Sequence, residues 1–351
     1  MPGELAKDCV IIRDPTEASQ IYNKGYYGYP MSGGGLELEF LEALFLVESS
    51  RLEILSEGKP VSLPKLMSLA ASDRRDFEIK YIVYRDLRQR GYIVKTAGDD
   101  FDFRVFPRGG SPTTTPTKNW VAAISERAIF DMSAFVEDID RAERTRKELL
   151  LAVVDEEGDL TYYRADRANP VGKLNEDHLN DAVESHLLED RVLVFDEAGA
   201  EQLTKNGHYG KQLGKVLQLS LIEAAYLMEN NRLNVSTLAT SRNVPLPRFR
   251  KRALKFQSDF ELRLNAYRDL RSRGMVVKTG FKYGTHFRVY EDNPNKIHAR
   301  FLVHCLPEDH TTTWPEMSRA VRLAHGVRKE ILFAWTRSKS TEYLRLVRVR
   351  P

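Results

Sequence analysis

Apolar and polar positions form two long series that predict the same order of elements. Each series opens with a short strand, continues with a short helix that ends at a glycine, and then has an apolar helix with apolar residues at three- and four-residue spacing. The first series places these elements at residues 10–13, up to Gly25 and at residues 36–49; the second places them at residues 192–195, up to Gly207 and at residues 218–230.

A second group of elements follows in each series. A helix passes through Tyr84 or Tyr267 and ends at Gly91 or Gly274. The later strands and one late helix are predicted at residues 92–96, 101–106, 120–124, 132–145, 149–155 and 160–164, and again at 275–279, 285–290, 299–305, 314–328, 331–336 and 343–349. Helices followed by a mixed sheet with one late helix predict an α/β or α+β fold.

The residues themselves repeat as well as the pattern. Residues 8–28 return as 190–210, and residues 77–96 return as 260–279, at a nearly constant offset of about 182 residues. We therefore predict two tandem copies, each with an N-terminal α/β subdomain and a C-terminal mixed-sheet subdomain. The predicted boundaries are 1–75 and 76–170 for the first copy and 171–257 and 258–351 for the second.

Length and composition restrict the class of protein. The 351 residues are enough for two or more buried cores. The longest apolar run, residues 149–154, is too short to cross a bilayer, and the first residues lack a secretory pattern. Cys9 and Cys305 lie far apart in non-matching places, so we expect neither a disulfide framework nor a metal site. These features predict a cytoplasmic protein without membrane attachment.

The distribution of charge suggests a class of partner only near the end of the chain. The net charge is +3, but residues 319–350 carry nine arginines and lysines against two glutamates. Such a basic field suits a phosphate backbone, although a solvated surface helix and strand would account for it equally well.

The two copies differ most in the residues that can carry chemistry. All eight histidines follow residue 177, so the first copy has none. Phe106 stands where the second copy has Tyr290, whereas Lys147 matches Lys329. The second copy therefore has a set of Tyr290, His298 and Lys329, of which the first keeps only the lysine.

The second copy contains three segments in order: VVKTGFKYGTHFRVY, KIHARFLVH and RAVRLAHGVRKEILFAW. Together with the degenerate first copy, they resemble the archaeal tRNA-splicing endonucleases. The layout is similar to the homodimeric forms, whose subunit holds one degenerate and one active unit. The resemblance implies metal-independent cleavage of precursor tRNA at bulge–helix–bulge junctions, leaving a 2′,3′-cyclic phosphate and a 5′-hydroxyl. It also implies nuclease-like C-terminal subdomains, a C2 homodimer and no cofactor.

The resemblance assigns Tyr290 as the base for the 2′-OH, His298 as the acid for the leaving oxygen, and Lys329 as the cation beside the phosphorus. Histidine suits proton donation near neutral pH, and lysine supplies a compact cation. A tyrosine hydroxyl ordinarily has a pKa of about 10, so it needs nearby cations to act as a base. Arg322 and Arg348 match the family arginines that sandwich an extruded base, and a planar guanidinium stacks well on a base.

The acidic turn DEEGD, residues 155–159, lies between the last two predicted strands of the first copy. The resemblance implies that it docks into a basic groove of the other subunit through Asp155, Glu156 and Glu157; a plain hairpin turn is the alternative. In the first copy, Arg141 or no clear residue takes the place of Arg322.

Plainer interpretations stay open for each residue taken singly: a half-buried strand tyrosine, a strand-end histidine, a helix-end lysine and solvated arginines. Four other histidines of the second copy compete with His298: His286, His304, His310 and His325. The alternative function is a non-catalytic RNA-binding or structural subunit that requires a separate catalytic partner. A metal-dependent DNA nuclease is a third possibility, since small mixed sheets host those enzymes too.

Overall fold

A computed structural model of the chain describes residues 2–73, 75–98, 100–175, 182–337 and 340–351. The chain forms two compact units, the first made of residues 1–129, 137–165 and 348–351 and the second of residues 130–136 and 166–347. Mixed sheets and helices build both units, which confirms the predicted α/β class and the duplication. In the described part of the chain, no helix has the length and apolar character needed to cross a membrane.

The first unit opens with a mixed sheet in the strand order β3-β4-β2-β1-β5-β6. Its elements are β1 (Pro2–Leu5), β2 (Val10–Ile12), α1 (Pro15–Gly25), β3 (Tyr29–Pro30), β4 (Leu36–Leu38), α2 (Phe40–Glu48), β5 (Glu53–Ser56), β6 (Lys59–Pro60) and α3 (Leu63–Asp73). Strand β1 pairs antiparallel with β2 and parallel with β5.

The second part of this unit has the strand order β12-β11-β9-β8-β7. Strand β11 pairs parallel with β9 and antiparallel with β12. The elements of this stretch of chain are α4 (Phe77–Gln89), β7 (Val94–Thr96), β8 (Phe103–Val105), β9 (Asn119–Ser125), β10 (Ile129–Asp131), α5 (Met132–Arg144), β11 (Glu148–Val154) and β12 (Leu160–Ala168). Within it, residues 130–136 and the end of β12 from Asp166 belong to the second unit.

The second unit repeats both parts, with strand orders β15-β16-β14-β13-β17 and β18-β19-β20-β22-β23. Its first part contains β13 (Val183–Leu188), β14 (Arg191–Val194), α6 (Glu197–Gly207), β15 (Lys211–Leu213), β16 (Val216–Ser220), α7 (Leu221–Glu229), β17 (Leu233–Thr237) and α8 (Leu246–Phe256). Its second part contains α9 (Phe260–Ser272), β18 (Val276–Thr279), a 3₁₀ turn (Phe281–Tyr283), β19 (Phe287–Tyr290), β20 (Phe301–Leu306), β21 (Thr311–Thr313), α10 (Trp314–Gly326), β22 (Glu330–Arg337) and β23 (Ser340–Val349).

The two apolar helices begin later than their predicted starts at residues 36 and 218. Strands β4 and β16 occupy the first residues of those stretches, and the helices begin at Phe40 and Leu221. A capping box sets the start of α7, because the Ser220 side chain accepts from the Glu223 amide at 3.2 Å while the Glu223 carboxylate accepts from the Ser220 amide at 2.9 Å. The prediction was therefore wrong in these residues, whose apolar positions alternate as in a strand.

A buried lysine joins the two parts of the first unit. The Lys95 ammonium on β7 donates to the Gly28 carbonyl at 2.6 Å and to the Glu42 carboxylate on α2 at 2.8 Å. Glu42 also accepts from the Gly28 amide at 3.0 Å, and both charged side chains are almost fully buried. Burial raises the pKa of Glu42, although the Lys95 charge opposes that shift.

The second unit repeats this contact. The Lys278 ammonium donates to the Gly210 carbonyl at 2.8 Å and lies 3.8 Å from the Glu223 carboxylate. A buried arginine repeats as well, because Arg88 donates to the Gly25 carbonyl at 2.8 Å and Arg271 to that of Gly207 at 3.0 Å. The shared contacts belong to the fold and not to the chemistry of one copy.

Replacing Lys95 with alanine should destabilise the first unit by about 3–5 kcal/mol, because it leaves a buried carboxylate without its cation. Chemical denaturation followed by circular dichroism measures the loss. Lys65→Ala, which removes an exposed lysine of α3, is the matched control and should have little effect. Equal stabilities of the two variants would contradict a structural role for the buried pair.

Candidate active site

Three strand ends meet at one edge of the second unit's sheet. Tyr290 is the last residue of β19, His298 lies shortly before β20, and Lys329 immediately precedes β22. Strand β19 runs antiparallel to β20, and β20 runs parallel to β22. The carboxyl end of β19 and the amino ends of β20 and β22 therefore lie at the same edge, and they bring the three segments together.

Backbone hydrogen bonds fix this edge. The Arg300 amide donates to the Val289 carbonyl at 3.1 Å, and the Glu330 amide donates to the Arg300 carbonyl at 3.0 Å. These bonds continue the pairing of Val289 with Phe301 and of Phe301 with Glu330. The spacing of the candidate residues is thus set by sheet register and not by a flexible loop.

Ala299 connects the candidate side chains. It packs with Tyr290 and Val276 in a small buried cluster, and its carbonyl accepts a hydrogen bond of 3.0 Å from the Lys329 ammonium. The next residue toward the N-terminus is His298, which is exposed. Tyr290 and Lys329 are therefore held against one residue, and His298 is adjacent to it.

Arg288 was missed by the sequence reasoning because the first copy also has an arginine there. Its guanidinium carbon lies 5.9 Å from the centroid of the Tyr290 ring. Residues two apart in a strand lie on the same face, so the FRVY spacing is the signal that could have identified it. Tyr290 itself is only 7% exposed.

The acidic neighbour of Lys329 is paired with arginines. Glu330 accepts from Arg300 at 2.9 Å and from Arg345 at 2.9 Å, and Arg345 also binds Asp166 at 2.8 Å. Burial would raise the pKa of Glu330, but the two arginines outweigh it and lower that pKa. The guanidinium groups therefore compensate the Glu330 charge, and the Lys329 ammonium donates to the Ala299 carbonyl.

His286 and His304 form a separate histidine pair. Their rings stack with centroids 4.5 Å apart, and His286 Nδ1 accepts from the Cys305 amide at 2.8 Å. His286 Nε2 lies 3.5 Å from Asp259. Burial and the neighbouring His304 lower the pKa of His286 to about 4. His286 precedes β19 and so lies at the opposite end of that strand from the candidate site.

The remaining competitors are placed elsewhere. His310 lies in the turn between β20 and β21, and His325 is exposed in the last turn of α10. His298 is thus the histidine whose backbone adjoins the edge that carries Tyr290 and Lys329.

The first unit has the same register with different residues. The Lys118 amide donates to the Val105 carbonyl at 2.9 Å, and the Glu148 amide donates to the Lys118 carbonyl at 3.2 Å. Lys118 therefore matches Arg300, which makes Pro116 the counterpart of His298.

The other two counterparts agree with the sequence comparison. Phe106 follows β8 and is buried where the second unit has Tyr290, and Lys147 precedes β11 as Lys329 precedes β22. The first unit keeps the strand arrangement and lacks the phenol and the imidazole.

The two candidate arginines, Arg322 and Arg348, have different kinds of counterpart in the first unit. Helices α5 and α10 each have 13 residues, so their alignment matches Arg322 with Asp140 and not with Arg141. Arg322 is exposed on α10. By strand register, the counterpart of Arg348 is Arg167. Arg348 itself lies in the part of β23 that belongs to the first unit.

The acidic segment of the first unit is a tight hairpin turn between β11 and β12. The Asp155 carboxylate accepts from the amides of Glu157 at 3.0 Å and Asp159 at 2.8 Å. Glu156 pairs with Arg127 at 2.6 Å. Glu156 and Glu157 are exposed, whereas the Asp155 carboxylate accepts hydrogen bonds within the turn. Among the described residues, no group of three or more histidine, cysteine or acidic side chains is arranged to hold a metal ion.

The fold and the site define a duplicated α/β protein in which, among the residues that the structure describes, the second unit alone places a tyrosine, a histidine and a lysine at one sheet edge. The family description "tRNA intron endonuclease, N-terminal domain" matches residues 1–67 and 183–243, and "tRNA intron endonuclease, catalytic C-terminal domain" matches residues 77–162 and 260–343. The chain belongs to the tRNA intron endonuclease family, which confirms the predicted resemblance.

Curated relatives extend over the whole chain. A tRNA-splicing endonuclease of Methanococcoides burtonii is 40% identical over 355 residues, covering 100% of both chains. Those of Methanosarcina mazei and Natronomonas pharaonis are 40% and 35% identical, with 95% of this chain covered in both cases and 94% and 95% of the relatives.

The low pKa of His286 predicts a pH-dependent stability. The unfolded chain binds a proton to this histidine near its ordinary pKa of about 6.5, whereas the folded chain resists protonation down to about 4. Stability should therefore fall as pH decreases from 7 to 4, with this group alone costing on the order of 2 kcal/mol at pH 5.

Urea denaturation at pH 8 and pH 5 measures this effect. His286→Gln should reduce the pH dependence, whereas His325→Gln, at an exposed position, should leave it unchanged. A pH dependence that is identical in both variants would contradict the assignment.

Proposed function

We propose that this protein is a metal-independent endoribonuclease that cleaves precursor tRNA at bulge–helix–bulge intron junctions. The ribose 2′-OH attacks the adjacent phosphorus, the bond to the 5′-oxygen breaks, and the products carry a 2′,3′-cyclic phosphate and a 5′-hydroxyl. The observation that carries the proposal is the convergence of Tyr290, His298 and Lys329 at one sheet edge of the second unit. Membership of the tRNA intron endonuclease family supports the substrate. Such a substrate would be met in the cytoplasm.

Tyr290 takes the proton of the 2′-OH in this mechanism. The phenol is buried, and the Arg288 guanidinium carbon lies 5.9 Å from the centroid of its ring, which places a cation beside the proposed base. Deprotonation of the 2′-OH and its attack on phosphorus form the new P–O bond.

His298 gives a proton to the leaving 5′-oxygen. Its exposure suits this role, because the leaving group belongs to an RNA strand that approaches from solvent. The proton gained by Tyr290 and the proton lost by His298 balance, so the net reaction rearranges the phosphodiester without consuming water.

Lys329 stabilises the charge that develops on the non-bridging phosphate oxygens. The Ala299 carbonyl orients its ammonium at 3.0 Å, and the arginine pairs of Glu330 limit competition from the adjacent carboxylate. Arg322 and Arg348 supply exposed guanidinium groups for stacking on an unpaired base.

His298→Ala should slow cleavage of a bulge–helix–bulge RNA in EDTA by about 10²–10⁴-fold, because the leaving oxygen loses its proton donor. Single-turnover cleavage followed on a gel measures the rate. His325→Ala, which removes an exposed histidine of α10, is the control and should cleave normally.

The unchanged protein should not cut a substrate whose scissile nucleotide is 2′-deoxy, because the nucleophile is absent. Full activity of His298→Ala would remove this residue from the mechanism. Loss of wild-type activity in EDTA would favour a metal-dependent nuclease, and RNA binding without any cleavage would favour the non-catalytic subunit.

A C2 homodimer completes the proposal, with the acidic turn of one subunit docking into a basic groove of the other. Glu157 offers an exposed charge, Glu156 is exposed but shares its charge with Arg127, and Asp155 accepts hydrogen bonds within the turn. The internal use of the Asp155 carboxylate gives the turn a fixed geometry before it meets a partner.

Glu157→Lys should weaken self-association by about tenfold or more, because charge reversal at a complementary contact costs more than 1.4 kcal/mol. Light scattering across a dilution series gives the mass, and the cleavage rate should fall in parallel. Glu57→Lys reverses an exposed charge in another turn of the same unit and should associate normally. An unchanged mass for Glu157→Lys at all concentrations would contradict the docking role.

A further inference from the structure

The turn between β18 and β19, residues 280–284 (the aromatic turn), is rigidly built. Tyr283 donates its amide to the Gly280 carbonyl at 2.8 Å, and Gly284 donates to that of Phe281 at 3.1 Å. Gly284 has a φ of +66°, which a residue with a side chain rarely adopts, and the Gly280 amide bonds to the His286 carbonyl at 3.0 Å. The turn is therefore closed by its own backbone hydrogen bonds.

This turn exposes an aromatic side chain almost completely. Phe281 is 86% exposed, so its ring contributes little to the core of the second unit. The Phe281 ring therefore gains little burial on folding, and a side chain carried on a preformed turn pays a smaller entropy cost when it binds a partner.

The aromatic turn precedes β19, as His286 does, but one of its rings reaches the lysine of the candidate site. The Tyr283 ring centroid lies 5.8 Å from the Lys329 ammonium. A Cβ on Gly284 would lie 4.0 Å from a methyl group of Leu323, the residue after Arg322 on α10. The turn thus lies beside the catalytic lysine and beside the helix that carries the proposed stacking arginine.

The matching connection of the first unit, residues 97–102, does not have this feature in its described residues. Its aromatic residue is Phe101, which is buried and stacks on Trp120 with centroids 5.5 Å apart. The exposed ring is therefore found in the unit that has the tyrosine and the histidine.

We propose that Phe281 is a stacking site for an unpaired RNA base next to the cleaved phosphate, with Lys282 contacting the backbone. This inference rests on the proposed RNA substrate. Single-stranded and bulged bases are bound by aromatic faces with about 1–3 kcal/mol per base, and flanking cations hold the phosphates. A preformed turn lowers the entropy cost of that binding. The signal in the sequence is the contrast of GFKYG with AGDDF.

The test uses an uncleavable bulge–helix–bulge RNA with a 2′-deoxy scissile nucleotide and 2-aminopurine at one bulge position at a time. Phe281→Ala should weaken binding by about 5- to 150-fold, the equivalent of 1–3 kcal/mol, and should abolish the stacking quench of the fluorophore. Phe281→Trp should restore both. Phe195→Ala removes a phenylalanine of the same unit that is 48% exposed and should leave both unchanged.

Unchanged affinity and unchanged quenching in Phe281→Ala would overturn the stacking site. A change in the oligomeric mass of Phe281→Ala would also overturn the stacking site if the RNA affinity, corrected for that change in mass, is unaltered. This result would indicate that Phe281 contacts protein. Failure of the wild-type protein to cut the all-ribose RNA would instead overturn the proposed function, because binding and quenching are read on a substrate that is never cleaved.

Discussion

The fold depends on a buried ammonium that each unit places between its two parts. Lys95 in the first unit and Lys278 in the second both donate to a glycine carbonyl that follows a short helix, and a glutamate of the apolar helix lies beside each of them. Burying a charge is costly unless it is paired and hydrogen-bonded, so the surrounding groups must be in place together. The contact therefore fixes how the strand that bears the lysine sits against the N-terminal part of its own unit.

This constraint reaches the candidate site through one strand. Lys278 lies on β18, and Val276 of the same strand pairs with Tyr290 and packs against its ring. Fixing β18 therefore fixes the apolar neighbour of the phenol, and sheet register carries the order on to Ala299 and Lys329. The candidate residues therefore stand at positions that the fold itself determines.

Much of this arrangement could be predicted from the sequence, and the exceptions have physical causes. The order of helices and strands follows from periodicity, but residues 36–38 and 216–220 alternate in a way that suits a strand before the cap at Ser220 starts a helix. The match of His298 with Pro116 depends on strand register, because the connections before them differ in length. Tyr290 and Lys329 are far apart in sequence. They come to the same end of the sheet only because β20 lies between β19 and β22 and pairs with both.

The first unit shows that the fold does not require the candidate residues of the second unit. A phenylalanine at Phe106 fills almost the same buried volume as a tyrosine, and Pro116 stands in a connection that leads into its strand, so neither change disturbs the sheet. Asp140 places a carboxylate where the second unit has Arg322, and that charge repels a phosphate backbone. These three differences replace a phenol, an imidazole and a guanidinium of the second unit, while the buried Lys95 keeps its contacts with Gly28 and Glu42.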